Sequence, residues 1–153
     1  MNYAPQKLFR SQIFFLLQYT RLDEEHDVLF AQILAVSQVP DSAEKLATLK
    51  DSMRKHFDYE QQRFCSVPSY NCVDHKMKHY KFWVILEDLQ VPIDCEKINW
   101  AKNWLAQHIK NTDHAYKKRL LGPDSGENFT GALPLKYYTR PILMMDRPNG
   151  KIV

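Results

Sequence analysis

The chain has 153 residues, a formal net charge of +3 and 44% hydrophobic residues. That length fits one domain with a core that needs no cross-links, and the apolar content excludes a disordered chain. The weak, dispersed positive charge gives no footing for a nucleic-acid or membrane partner.

Residues 1–20 form an N-terminal arm with the longest apolar run, Ile13 to Leu17, far too short to span a bilayer. The run follows Lys7 and Arg10 as a signal peptide would, but its core is short and no small-residue cleavage site follows, so it is not read as one. Beyond the arm no glycine occurs before Gly122. Pro40, Pro68, Pro92 and Pro123 divide this region into stretches of helix length, and proline is excluded from helix interiors. Each stretch carries apolar residues in alternating steps of three and four, the signature of one helix face. The first stripe is Leu22, His26, Leu29, Ile33 and Val36, and the second is Leu46, Leu49, Met53, His56, Glu60 and Arg63. The third is Cys72, His75, His79, Phe82, Leu86 and Leu89, and the fourth is Ile98, Ala101, Leu105, His108, Thr112 and Ala115. Asp41-Ser42 and Asp94 are placed to cap the second and fourth helices. No stretch alternates as a strand would. The expected fold is all-α, an antiparallel up-down-up-down four-helix bundle over residues 21–120. Residues 121–153 hold all four glycines and four of the eight prolines, an irregular C-terminal extension. Its apolar clusters, Leu133, Leu135, Tyr137, Tyr138 and Ile142 to Met145, favour docking on the bundle, on a partner protein or in a homo-oligomer over a free tail. Three cysteines cannot all pair within one chain, and nothing marks secretion. Cys65, Cys72 and Cys95 are therefore expected as free thiols in a reducing, cytoplasmic setting.

Every stripe carries a group foreign to a hydrocarbon core. One buried histidine is more often bonded to a carbonyl than to a metal. Here His26, His56, His75, His79 and His108, five of the six histidines, fall on inward faces, and Glu60 beside them needs a partner. The coherent explanation is a metal site in the bundle core. His56–Glu60 and His75–His79 are each four apart and share a helix face. Asp113 lies five beyond His108, about 140° around an ideal helix. The two residues either flank a metal from different sides or sit on a π-bulge. A solvated acid among Lys110, Lys117 and Lys118 is the plain alternative for Asp113. Five imidazoles and two carboxylates are too many for one tetrahedral zinc and suit two mid-row transition ions with bridging carboxylates. Glu-x-x-His, the mark of carboxylate-rich di-iron bundles, is absent. A histidine-rich site favours oxygen binding over substrate oxidation.

Taken together, these residues resemble the hemerythrin family. The family pattern is a lone His, then H-x-x-x-E, H-x-x-x-H and H-x-x-x-x-D. It appears as His26, His56–Glu60 (HFDYE), His75–His79 (HKMKH) and His108–Asp113 (HIKNTD), within text such as LDEEHDVLF and INWAKNWLAQHIKNTDHAY. The likeness runs from about Tyr19 to Lys118. It implies two non-haem, oxo- or hydroxo-bridged Fe ions: one on His75, His79 and His108, the other on His26 and His56, with Glu60 and Asp113 bridging. It thereby settles Asp113 as a ligand. The second iron would keep an open position, where O2 is held as hydroperoxide, and no side chain would act as acid, base or nucleophile. Leu29, Phe57, Trp104, Leu105 and Ile109 match the oxygen-pocket positions, with Leu105 as the first choice of gate. Reversible O2 binding for transport or storage is the implied function, and the protein is not read as an enzyme. The competing readings are an oxygen or redox sensor, a peroxide-detoxifying protein and an iron buffer. A zinc site on Cys65, Cys72, His75 and His79 leaves the remaining donors unexplained. The chain departs from the family in three places: its arm carries Phe9, Phe14 and Phe15, with Ser11 near the position of the family's tryptophan. The link around Gln90 to Glu96 is long, and the extension follows Leu121.

Overall fold

The computed structural model describes residues 17–120. The arm up to residue 16 and the extension from residue 121 lie outside them, and so does the expectation that the extension docks. Four helices carry the described region: α1 (Thr20–Gln38), α2 (Ala43–Phe64), α3 (Cys72–Asp88) and α4 (Cys95–Asn111). No strand occurs among the described residues. α1 packs on α2 and α4, and α2 packs on α3. Short links force antiparallel neighbours, so the expected four-helix bundle is what forms. No helix of the described region is long and apolar enough to cross a membrane.

The helix starts follow the capping chemistry. Ser42 accepts a hydrogen bond from Lys45 N at 3.2 Å, and Asp94 accepts one from Glu96 N at 2.8 Å. Asn71, which the sequence reading did not single out, caps α3 by accepting from Asp74 N at 3.1 Å. Each satisfies a backbone donor that a first helical turn leaves orphaned. At the start of α1 the Asp23 carboxylate turns back to accept from Leu17 N and Gln18 N, at 2.9 and 3.0 Å.

The stripes are the core. Leu22, Leu29 and Ile33 of α1 meet Leu49, Met53 and Phe57 of α2, Phe82 and Leu86 of α3, and Ile98, Leu105 and Ile109 of α4. Burying a side chain of this size contributes about 1.5–3 kcal/mol. The far end of the bundle is tied by polar contacts between links. Ile93 N donates to Pro40 O at 3.0 Å, and Lys50 Nζ donates to the last carbonyls of α3, Glu87 O and Leu89 O, at 2.7 and 2.8 Å. The long α3–α4 link contains a cis peptide at Val91–Pro92.

Two expectations fail. The fourth stripe does not continue to Ala115, which is exposed, because α4 stops at Asn111. A turn of 3-10 helix, Asp113–Tyr116, follows and buries Asp113 and Tyr116 instead. The cysteines are not all free. Cys65 and Cys72 are joined in a disulfide with Cα atoms 5.0 Å apart, while Cys95 is free and exposed. The pairing arises because Cys65 caps the end of α2 and Cys72 opens α3, so the link must return the chain to its neighbour. Thiol content therefore no longer argues for a reducing compartment, and the zinc reading loses its two sulfur donors.

Leu49 is fully buried at the apolar end, whereas Leu34 is half exposed. Leu49→Ala is expected to lower the unfolding free energy by about 2–5 kcal/mol, measured by urea titration, with Leu34→Ala within about 0.5 kcal/mol of the parent. Equal losses at the two positions would mean that the stripe is not the core.

Candidate metal centre

Seven ligand-type side chains converge inside the bundle, none more than 5% exposed. α1 supplies His26, α2 supplies His56 and Glu60, α3 supplies His75 and His79, α4 supplies His108, and the 3-10 turn supplies Asp113. All seven were read from the sequence, and the structure brings all seven together. The four-residue spacings work as one-turn steps along α2 and α3. The five-residue spacing works differently, and neither a straight helix nor a π-bulge is involved. α4 ends, Thr112 N donates to His108 O at 2.8 Å, and the tighter turn swings the Asp113 carboxylate back to 2.9 Å from His108 Nε2. The lysines do not hold Asp113 at the surface; it is fully buried.

The donor atoms fall in two sets that share Glu60. Glu60, His75, His79, His108 and Asp113 form one, and His26, His56 and Glu60 the other. His108 Nε2 lies 3.0 Å from His75 Nε2 and 2.9 Å from His79 Nε2. Asp113 also reaches His75 Nε2 at 3.1 Å and His26 Nε2 at 3.5 Å. Glu60 Oε2 lies 3.2 Å from His79 Nε2 and 3.7 Å from His56 Nε2. Two imidazole nitrogens bound at right angles to one divalent ion, each about 2.1 Å from it, lie about 3 Å apart. The spacing of His108 Nε2 from the other two nitrogens is that of ligands around an ion. Glu60 Oε2, both Asp113 oxygens and Nε2 of His26 and His56 are buried with no hydrogen-bond partner among the described residues. Orphaned buried acceptors cost several kcal/mol unless a cation satisfies them. The residues present therefore fit a bound metal pair.

Groups behind the donors orient them, as outer partners of metal-ligating histidines do. Four of these were missed in the sequence. Glu25 lies 2.9 Å from His56 Nδ1, Tyr70 hydroxyl 2.8 Å from His75 Nδ1 and the Gln61 amide 3.2 Å from His79 Nδ1. With Nε2 turned to the centre, Nδ1 carries the proton, so His56 donates to Glu25 and His75 to Tyr70. Tyr116 donates to Glu60 Oε1. Glu25 lies near the start of α1, where the helix dipole alone favours an acid, so it gives no separate signal. Tyr70 and Tyr116 sit off the helical stripes, where periodicity gives no signal. Rings brace the imidazoles as well: Phe64 stacks on His75 at 4.0 Å, Phe57 on His79 at 3.9 Å and Trp104 on His108 at 4.4 Å. Of the expected pocket residues, Leu29, Phe57, Leu105 and Ile109 are buried and Trp104 is half-buried.

Burial sets the protonation of the centre. It lowers the pKa of His26, His75 and His79 far below the usual histidine range, and that of His108 to about 4. Four neutral imidazoles are thus ready to ligate at neutral pH. Burial also opposes the charged form of His56, but its bond to Glu25 and the charge of Glu60 outweigh that and raise its pKa. The two carboxyls part company. Burial, then the Glu60 charge, pushes Asp113 well up, while burial of Glu60 is overcome by the surrounding histidines, His56 foremost, which hold it at about 2. Without a cation, Asp113 keeps the one proton of the pair, as expected for two carboxyls sharing a site.

No protein-family model matches the chain. Over 106 residues it is 38% identical to myohemerythrin-1 of Phascolopsis gouldii, covering 69% of this chain and 89% of that protein. It is 40% identical over 103 residues to the myohemerythrin of Theromyzon tessulatum, covering 67% and 85%. A hemerythrin-like protein of Naegleria fowleri is 36% identical over 103 residues, covering 67% and 86%.

Acid should unfold the metal-free protein through this centre. Between pH 6.5 and about 4 the unfolded chain takes up protons on four histidines that the folded chain keeps neutral. Asp113, and His56 at the upper edge, run the other way, since the folded state binds their protons more tightly. The histidine excess wins, so stability falls as pH falls, by up to about 1.4 kcal/mol per pH unit for each net proton. Urea midpoints across this window check the sign, and a flat or rising trend on acidification would overturn it.

Proposed function

Since the chain belongs to the hemerythrin family, we propose that it binds O2 reversibly at a pair of non-haem iron ions, in transport or storage. The observation that carries this reading is the pair of buried donor sets sharing Glu60. His75, His79 and His108 would hold one iron and His26 and His56 the other, with Glu60 and Asp113 bridging. The first set has one imidazole more, so O2 would be taken up on the side of His26 and His56. Such an iron pair, when bound, would supply the reversible two-electron exchange that O2 binding needs.

The side chains do the rest. Two divalent ions bring four positive charges into a buried site, and the two carboxylates cancel half of them, which makes burial tolerable once solvent contributes a bridging anion. Glu25 holds the Nδ1 proton of His56 and makes that imidazole a stronger donor to the oxygen-binding iron. Tyr116 donates a hydrogen bond to Glu60 Oε1, leaving Oε2 to face the ions. Phe57, Trp104, Leu105, Leu29 and Ile109 line the oxygen pocket and exclude water. Leu105, fully buried one turn before His108, is the gate. The centre positions and shields, and no side chain is required to transfer a group, so the protein is a binder rather than an enzyme.

Metal analysis with a visible spectrum through cycles of air and deoxygenation tests this. Two irons per chain and a charge-transfer band that comes with air and leaves without it are expected. His56→Ala should lose at least one iron and all reversible binding. Irons that oxidise once and do not return would point to a sensor, an enzyme or an iron buffer. Unchanged metal and spectrum in His56→Ala would sink the ligand assignment.

A further inference from the structure

The Cys65–Cys72 bridge stands against the metal centre. Cys65 follows Phe64, whose ring lies parallel to His75 within 5° at 4.0 Å. Cys72 lies three residues before His75. Between the two cysteines the link buries Val67 and presents Tyr70, whose hydroxyl is 2.8 Å from His75 Nδ1. Phe64 and Tyr70 both pack on Tyr116, 6.0 Å between centroids in each case, and Tyr116 is bonded to Glu60. The link therefore sets the outer contacts of one imidazole and touches the group behind the shared carboxylate. Both cysteines are only half-buried, within reach of a small thiol.

We propose that the Cys65–Cys72 pair is a thiol–disulfide latch on metal retention, an inference that rests on the metal assignment above. Closed, the bridge confines the six-residue connection 66–71 and keeps Tyr70 on His75. Opened, the link regains conformational freedom, His75 loses its orienting partner, and the ion on His75, His79 and His108 is held less tightly. The opening step is ordinary exchange with a dithiol. One of its thiolates attacks one sulfur of the bridge and the S–S bond breaks. The second then displaces the mixed disulfide. Cys65 and Cys72 gain two electrons and two protons as thiols, and the dithiol leaves as its own disulfide.

The test uses the full metal-loaded chain in three forms: oxidised; reduced with dithiothreitol, alkylated and freed of reagent; and Cys65→Ser/Cys72→Ser. Transfer of metal to a colorimetric chelator should run about tenfold faster in the second and third forms than in the first, the scale on which an outer partner of a metal ligand acts. Tyr70→Phe should speed transfer with the bridge intact, and Cys95→Ser should leave it unchanged. Amide exchange over residues 66–71 should quicken on reduction whether or not metal is present. Equal transfer rates with unchanged exchange would overturn the latch, as would protein never exposed to reductant in which Cys65 and Cys72 alkylate freely. The oxygen reading fails separately: zinc- or cobalt-loaded protein reports the latch even if the iron form never binds O2 reversibly.

Discussion

This bundle is organised around the burial of five imidazoles and two carboxylates at one place. His108 Nε2 faces the His75 and His79 nitrogens near 3 Å, and Glu60 Oε2 and both Asp113 oxygens have no hydrogen-bond donor among the described residues. Such a cluster is costly by itself and becomes favourable when cations occupy it. The energy that tolerates it comes from elsewhere in the same helices. Ile33, Val36, Leu46, Leu49, Leu86 and Ile98 fill the end of the bundle away from Asp113 with hydrocarbon alone. One end of the molecule supplies stability and the other carries the chemistry.

Around the donors, packing and hydrogen bonding divide the work of orientation. Flat rings set the planes of His75, His79 and His108 by stacking. Glu25, Tyr70 and Gln61 set the rotation of three imidazoles through Nδ1, and of the three only Glu25 is an acid. A carboxylate behind His56 and a phenol behind His75 make the two donor sets electronically unlike, beyond their difference in number. That asymmetry suits a centre in which one ion is closed off and the other takes up a ligand.

Two short segments decide whether the centre closes. The 3-10 turn after α4 lets a carboxylate five residues from a histidine reach the same point. The cross-linked link between α2 and α3 places a tyrosine behind the histidine of the next helix. Neither belongs to a periodic face, and each links a helix end to the centre through one side chain.

Sequence by itself determined the helices, the inward stripes and six of the seven candidate donors, because helix faces repeat every three to four residues and a histidine or glutamate on such a face stands out against apolar neighbours; Asp113 came from the family likeness alone. The hemerythrin likeness rests on the same seven positions. Only the tertiary structure decided how Asp113 gets there, since the step from α-helix to 3-10 turn depends on burying Asp113 and Tyr116 together rather than on spacing. It alone decided the partners behind the imidazoles, which come from links and neighbouring helices whose approach no local pattern encodes. It also overturned the free-thiol expectation. Counting cysteines addresses their number, whereas pairing depends on two chain ends being brought within 5.0 Å, a distance set by how α2 and α3 pack.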